Sequence, residues 1–502
     1  MVNPETIIKH VEQLVKQAKP LSHTEILTQL LKQFKPLDFE ALAFPQVLQL
    51  RENLEIAESG SNEAKEIIKQ LEKLKLNTKH LLVLSINNVL KVAEENKWGL
   101  CKNLDFIYLY NGAYWAVIDK EAFQKFLGEA AEKMGVTKFS AQFYQFREHL
   151  FKQFLATAYL PTPEQSKDVV LINLLNGTFE VTPKGTRLRD FDKTDFLTYQ
   201  LPFEYNPEAK ASLFETYLSK VLPDKQRQKV LSEYLGYVFI KNGTIKEEKV
   251  LFLYGTGANG KSVFHEVVKA MLGNENISQY SLQDLTNENG YYRAMIANKR
   301  VNYASEISGK LQAAIFKQLA SGETVSARLP YGNPMQISDY ARLIFNVNEL
   351  PRDVEQSDAF FRRFLIIPFD VTIPEAEQDK QLHIKIIEGE ISGVFNWVLE
   401  GLNRLLQQKQ FTHCEASHIA REQYKTESDS VKMFLEEEQY SISLTQSKAF
   451  KDLYNEYKSY CLDCGFIKVQ SVTFSKRLKA IGYQIIRQNY GMKISIEKKD
   501  NF

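Results

Sequence analysis

Cysteine is scarce: four residues in 502, too few for a disulfide framework. Long apolar runs are missing too. The longest, such as Leu81–Ser85 and Val250–Tyr254, fall far short of the ~20 residues a membrane helix needs. Charge of one sign is absent in bulk: 63 Lys and Arg stand against 62 Asp and Glu, for a net charge of +1. Any surface that grips a polyanion must therefore be local. The opening MVNPETIIKHVEQ has neither an apolar core nor a small-residue cleavage site, so it does not read as a secretory leader. These absences predict a reduced, cytoplasmic protein without a membrane partner.

What is present is ordinary globular composition, 44% hydrophobic and 25% charged. At roughly 100–200 residues per domain, the length predicts about three domains. Residues 1–80 read as a helical region, with amphipathic spacing over 6–17, 24–34 and 62–76. Residues 81–245 read as an α+β domain. Phe106–Asp119 suggests two strands turning at Asn111-Gly112, and Val169–Val181 two more at Asn176-Gly177. Helices are expected over 120–134, 141–156, 211–222 and 224–239. Residues 246–375 alternate apolar runs with helices, the pattern of a mostly parallel α/β sheet. A helical segment, 376–429, precedes a small domain over 430–502, where helices at 431–438, 448–460 and 471–480 lead into strands 483–487 and 492–496. Helices followed by a β-hairpin is the order of a winged helix.

The strongest motif is Gly255-Thr-Gly-Ala-Asn-Gly-Lys-Ser262, which fits G-x-x-x-x-G-K-[ST] without a mismatch. It follows the apolar run VLFLY and opens a helical stretch. Glycines let successive N–H groups turn toward phosphate oxygens, and a helix N-terminus adds partial positive charge. Lys261 supplies an ammonium for the β- and γ-phosphates, and Ser262 a hydroxyl for Mg²⁺. Gly255, Gly257, Asn259 and Gly260 complete the expected ATP cradle.

Triphosphate cleavage also needs an acidic group. Glu306 stands just past the apolar strand candidate Arg300–Ala304, where α/β sheets place ligands, and is expected to share Mg²⁺ with Ser262. A third strand, Arg342–Asn348, carries Asn346 and Asn348. Strand alternation puts both on one face, so spacing leaves open which amide addresses the γ-phosphate. Arg362-Arg363, at the edge of the apolar run FLIIPF, is a candidate for an arginine offered to a neighbouring subunit's nucleotide.

Together these residues resemble the superfamily 3 helicases, and more closely the phage and plasmid primase family whose C-terminal half is related to the poxvirus primase–helicase. The ANGKS form of the loop, INLLNGTFEV (172–181), LPFEYNP (201–207) and IEGEISGVFNWVLEGLNRL (387–405) carry the likeness over about residues 85–500. The resemblance implies an AAA+-like P-loop ATPase core binding ATP and Mg²⁺. It implies Glu306 as the acidic Walker B residue and Asn348, in N-x-x-P, as the polar sensor. Lys317, in FKQLASGE, becomes a second basic group near the γ-phosphate, and Arg363 is preferred to Arg362 as the trans-acting arginine. Two departures stand out: Ser305 replaces the usual first carboxylate of the Walker B pair, and the DNA-gripping hairpin after Gly322 offers only Arg328 and Tyr331.

The family further implies a ring, commonly a hexamer, drawing one DNA strand 3′ to 5′ through its channel during replication of a mobile element. A loader or initiator that spends ATP without unwinding is the alternative. A remodelling ATPase acting on proteins is a third reading.

Residues 466–499 hold eight Lys and Arg against Glu497 alone. Lys476, Arg477 and Lys479 are therefore expected on duplex DNA. Cys461-x-x-Cys464 lacks a second ligand pair and reads as structural. Residues 1–84 are too short and too helical for primer synthesis; ring contacts and the binding of a separate primase are the two roles open to these helices.

Overall fold

The structure, a computed structural model, describes residues 21–103, 106–160, 168–305, 311–351, 354–489 and 491–498. The helix expected over 6–17, and Glu306 and Lys499, lie outside them. The chain divides into two compact units between Leu201 and Pro202.

In the first unit, helix His23–Gln33 begins at Ser22, whose side chain accepts from the Glu25 amide while Glu25 returns a bond to the Ser22 amide. This capping box satisfies two otherwise unpaired donors. Its apolar stripe, Ile26 and Leu30, enters a core built with Ile86 and Val89 of helix Thr78–Glu95 and with Phe123, Leu127, Leu150 and Phe154. Each such side chain, fully buried, contributes about 1.5–3 kcal/mol. Two antiparallel three-stranded sheets complete the unit: 99–103, 106–110 and 115–117, then 170–174, 177–182 and 185–189. Both expected strand pairs are present, and each gains a third strand that short-range pattern did not reveal.

The second unit is organised by a five-stranded parallel sheet in the order 364–368, 250–254, 342–347, 301–304, 277–278. The mixed α/β reading of this region therefore holds. The strands VLFLY, RLIFNV and FLIIP are buried almost throughout, as expected for strands covered on both faces. Helix Leu382–Gln408 packs along helix Lys225–Tyr237. Between them Glu233, fully buried, accepts from Arg404 Nε at 2.5 Å and from the Thr412 amide at 2.7 Å. Removing one member of such a buried pair typically costs about 3–5 kcal/mol.

The last segment has its own core of Val431, Phe434, Leu453, Tyr457, Phe474, Leu478 and Ile494. Helices Ser430–Glu437, Phe450–Asp463 and Ser471–Ile481 accompany strands 485–488 and 491–495. The expected helix start at Lys448 is corrected: Ser447–Ala449 is a strand paired with 491–495, and the helix begins at Phe450. Three residues carry no readable period, and their partner lies more than forty residues away.

Candidate functional site

The Val250–Tyr254 strand lies inside the parallel sheet, bonded to 342–347 on one side and 364–368 on the other. Its C-terminal end feeds the glycine-rich loop, anchored where the Gly255 amide donates to Val347 O at 3.1 Å. The chain then turns through Gly257 (φ 118°) and Ala258 (φ 50°) to Gly260 (φ 84°) and enters helix Lys261–Leu272. Only glycine suits position 260. A Cβ there would also sit 2.7 Å from Val221 Cγ1, while the Tyr217 hydroxyl donates to Gly260 O at 2.8 Å. Asn259 is buried and clips the loop down, its Nδ2 donating to Phe369 O at 3.1 Å.

Lys261 is 7% exposed. Its ammonium donates to Gly255 O at 2.6 Å and Asn259 Oδ1 at 3.0 Å, both neutral oxygens. Burial pushes its pKa below the usual lysine range. A cation held by neutral acceptors in a desolvated place is poised for an anion. Among the described residues, no backbone carbonyl outside the helices and strands accepts from the amides of 256–262.

The loop opens on a cavity of about 590 Å³, lined by Tyr217, Val221, Gly257–Val263, Ser305, Asn346, Asn348, Ile373, Leu382 and His383. The lining also carries the charged Lys220, Glu266, Glu377, Asp379 and Lys380 beside the apolar Val221, Ile373 and Leu382. A strap across the cavity is tied to the loop by the Ile373 amide donating to Ala258 O at 2.8 Å. Ser262 is exposed at the helix start, free to offer its hydroxyl to a hydrated cation. Ser305 brings the end of the 301–304 strand to the same place; Glu306 follows it outside the described residues.

Other expected residues lie elsewhere. Lys317 does not line the cavity; its ammonium is 3.0 Å from both oxygens of Glu355. Arg363 is nearly buried, donating to Ala359 O and to Ser321 Oγ at 2.8 Å. Arg362, next to it, is exposed. Lys317 and Ser321 share helix Ala313–Ser321, so these cations gather on a face apart from the cavity. Strands 325–327 and 335–337 form a hairpin, with Tyr331 fully exposed at its tip (φ 59°). Arg328 is half-buried and stacks on Tyr291, its guanidinium 4.9 Å from the ring centre. On helix Ser471–Ile481, Lys476 and Lys479 are exposed, whereas Arg477 Nη1 is 2.8 Å from the buried Asp429.

Against known proteins, the model of a family described as "D5 N terminal like" matches residues 89–223, and that of a "Family of unknown function (DUF5906)" matches 253–363. A putative helicase, L207/L206, of Acanthamoeba polyphaga mimivirus is 25% identical over 237 residues, 45% of this chain and 24% of that protein. The chain resembles the phage and viral primase–helicases. A second relative, putative helicase 121R of Invertebrate iridescent virus 3, is 23% identical over 337 residues, 59% of this chain and 35% of its own length. The chain thus spans between a quarter and about a third of these relatives. Among solved structures, the apo NrS-1 C-terminal region is similar over 82% of this chain and 98% of its own, at 14% identity and a TM-score of 0.42.

Sequence reasoning missed Tyr217, which braces the loop, and Tyr303, whose hydroxyl lies 3.0 Å from Asn346 Oδ1. Neither carries a motif. Tyr303 stands on the strand that leads to Glu306, which is the signal that was available.

Proposed function

We propose that this chain is a nucleoside-triphosphatase that drives DNA strand separation: a P-loop, AAA+-like helicase of superfamily 3, assembled as a ring, moving 3′ to 5′ during replication of a phage, plasmid or related element. The observation that carries the reading is Lys261, desolvated and bonded among the described residues to neutral oxygens, at the mouth of a helix N-terminus on a 590 Å³ cavity. Triphosphate is the anion whose size and charge suit that arrangement.

The residues present fit ATP with Mg²⁺. The amides of 256–262 and Lys261 would hold the phosphates, Ser262 and Glu306 the metal, and the apolar lining residues Val221, Ile373 and Leu382 the base. Bound Mg²⁺ supplies charge neutralisation between the β- and γ-phosphates. The strap at Ile373 shields the site from water. Asn346 and Asn348 face the end of the cavity where the terminal phosphate falls.

The cation cluster of Lys317, Arg362 and Arg363 supports a ring, because it is remote from its own cavity and suits a neighbour's nucleotide. Burial favours Arg362 as the group that reaches across, with Arg363 holding the strand start. The hairpin tip at Tyr331 suits stacking on an unpaired base. The C-terminal segment reads as a winged helix touching duplex phosphates through Lys476 and Lys479. Binding of a fluorescent ATP analogue tests the site: micromolar affinity that Lys261→Ala abolishes supports it, and equal affinity in that variant refutes it.

A further inference from the structure

The strap over the cavity, residues 370–381, joins the buried strand Phe364–Pro368 to helix Leu382–Gln408. No residue in it is buried, and its regular structure is one short 3-10 turn, Glu375–Glu377. Ion pairs fix its two ends. Arg227 Nη1 lies 2.6 Å from Asp370, and Lys385 Nζ 2.6 Å from Asp379. Between these ends, among the described residues, two bonds cross from the strap to other walls of the cavity. One is the Ile373 amide on Ala258 O of the glycine-rich loop. The other is Lys220 Nζ on Glu377 Oε2 at 2.7 Å, and both of these side chains line the cavity.

Lys220 stands on helix Ser212–Val221, which is held firmly. At its start Glu390 accepts from the amides of Leu213 and Phe214, each at 2.9 Å, satisfying two donors that the helix itself leaves unpaired. Phe214, Leu218 and Val221 are buried, and the Tyr217 hydroxyl donates to Gly260 O. An exposed segment tied by few bonds opens at far lower cost than a packed helix. Motion at this pair is therefore motion of the strap. Both side chains are exposed, Lys220 by 48% and Glu377 by 56%, so the tie is one that breaks and re-forms readily.

We propose that Lys220 and Glu377 are positioning residues that latch the strap over the cavity, so that their ion pair sets how fast a nucleotide enters and leaves. The inference rests on the nucleotide reading above and extends it from what is bound to how long it stays. A gate lies on the path in and on the path out alike. Loosening it speeds both rates and leaves their ratio nearly fixed, whereas losing a direct contact with the nucleotide changes release and affinity together.

Stopped-flow binding of a fluorescent ATP analogue to the full chain, and displacement of the analogue by excess ATP, test it. Lys220→Met and Glu377→Gln should each speed release about two- to fivefold, the scale of an exposed ion pair. Each should speed association by a similar factor and keep the dissociation constant within about twofold. The double variant should release no faster than either single one, because both remove the same tie. The differences should shrink at high salt, which screens the pair in the unchanged protein. Unchanged release in both single variants would overturn the proposal, as would additive effects in the double variant or a dissociation constant that rises in step with release. Release slowed by Glu377→Gln but sped by Lys220→Met would also overturn it, marking a lysine that holds the nucleotide itself. In each of these cases analogue binding keeps the nucleotide reading intact; failure of the unchanged protein to bind the analogue would overturn both.

Discussion

Arg362 and Arg363 reach the same oxygen of Glu248, at 3.1 and 3.0 Å, yet the first side chain is 60% exposed and the second 8%. Adjacent, chemically identical groups have therefore been given different work. Arg363 joins the strand start to Ser321 and Ala359, while Arg362 presents its guanidinium outward.

Exchanging each for alanine should separate the two. Arg363→Ala leaves Glu248 with Arg362 alone and removes the donor to Ser321 Oγ and Ala359 O; it is expected to cost about 1–3 kcal/mol, read as a lower melting temperature. Arg362→Ala should leave melting unchanged and nucleotide binding intact. It should cut turnover of the assembled protein by about 10³-fold, the scale of a trans-acting arginine. Mixing it with unchanged protein should depress turnover more than in proportion.

Lys261 sits in a desolvated place and, among the described residues, is bonded to neutral oxygens, so its charge costs the fold something in exchange for its role. Lys261→Met should abolish nucleotide binding while raising the melting temperature slightly. Because the folded-state pKa lies below the unfolded one, the charge penalty is largest at neutral pH. It fades as pH rises from the folded pKa to the ordinary lysine range. The stability gap between variant and unchanged protein should narrow over that interval, which denaturation at stepped alkaline pH would show.

Glu355 is held below the usual carboxylate range by bonds from the Ser357 hydroxyl and the Lys317 ammonium. That stabilisation is present above the ordinary glutamate pKa and is lost as pH falls through the folded-state value. Lys317→Met should therefore lower stability at neutral pH by less than about 1 kcal/mol, the scale of a partly exposed pair. The difference from the unchanged protein should vanish in acid. An acid titration of unfolding checks this.

In the C-terminal segment, Lys476→Ala and Lys479→Ala should weaken duplex binding and each lower the salt-dependence slope by about 1. Arg477→Ala should act through folding, because Asp429 is its buried partner and also caps helix Ser430–Glu437 by accepting from the Val431 amide. Filter binding at several salt concentrations, beside melting curves, distinguishes the two effects.

What could be read from sequence followed interaction range. The strand Val250–Tyr254, the loop after it and helix Lys261–Leu272 were legible because apolar run, glycines and helix start are contiguous. Helix His23–Gln33 was legible through its 3.6-residue stripe and its cap. Strands 440–441 and 447–449 were not, since each is fixed by a partner near the C-terminal end rather than by its own pattern. The same limit applies at the site. Tyr303 meets Asn346 across 43 residues, Lys317 meets Glu355 across 38, and Arg477 meets Asp429 across 48. The family resemblance assigned Lys317, and local charge Arg477, to ligands; the tertiary fold places each beside a carboxylate.

Strand displacement from a forked DNA duplex, followed together with ATP consumption, tests the central claim most directly. The account predicts that ATP is consumed faster when single-stranded DNA is present, that the fork opens only with ATP, and that Lys261→Ala abolishes both. ATP consumption indifferent to DNA, with the fork left closed, would contradict it.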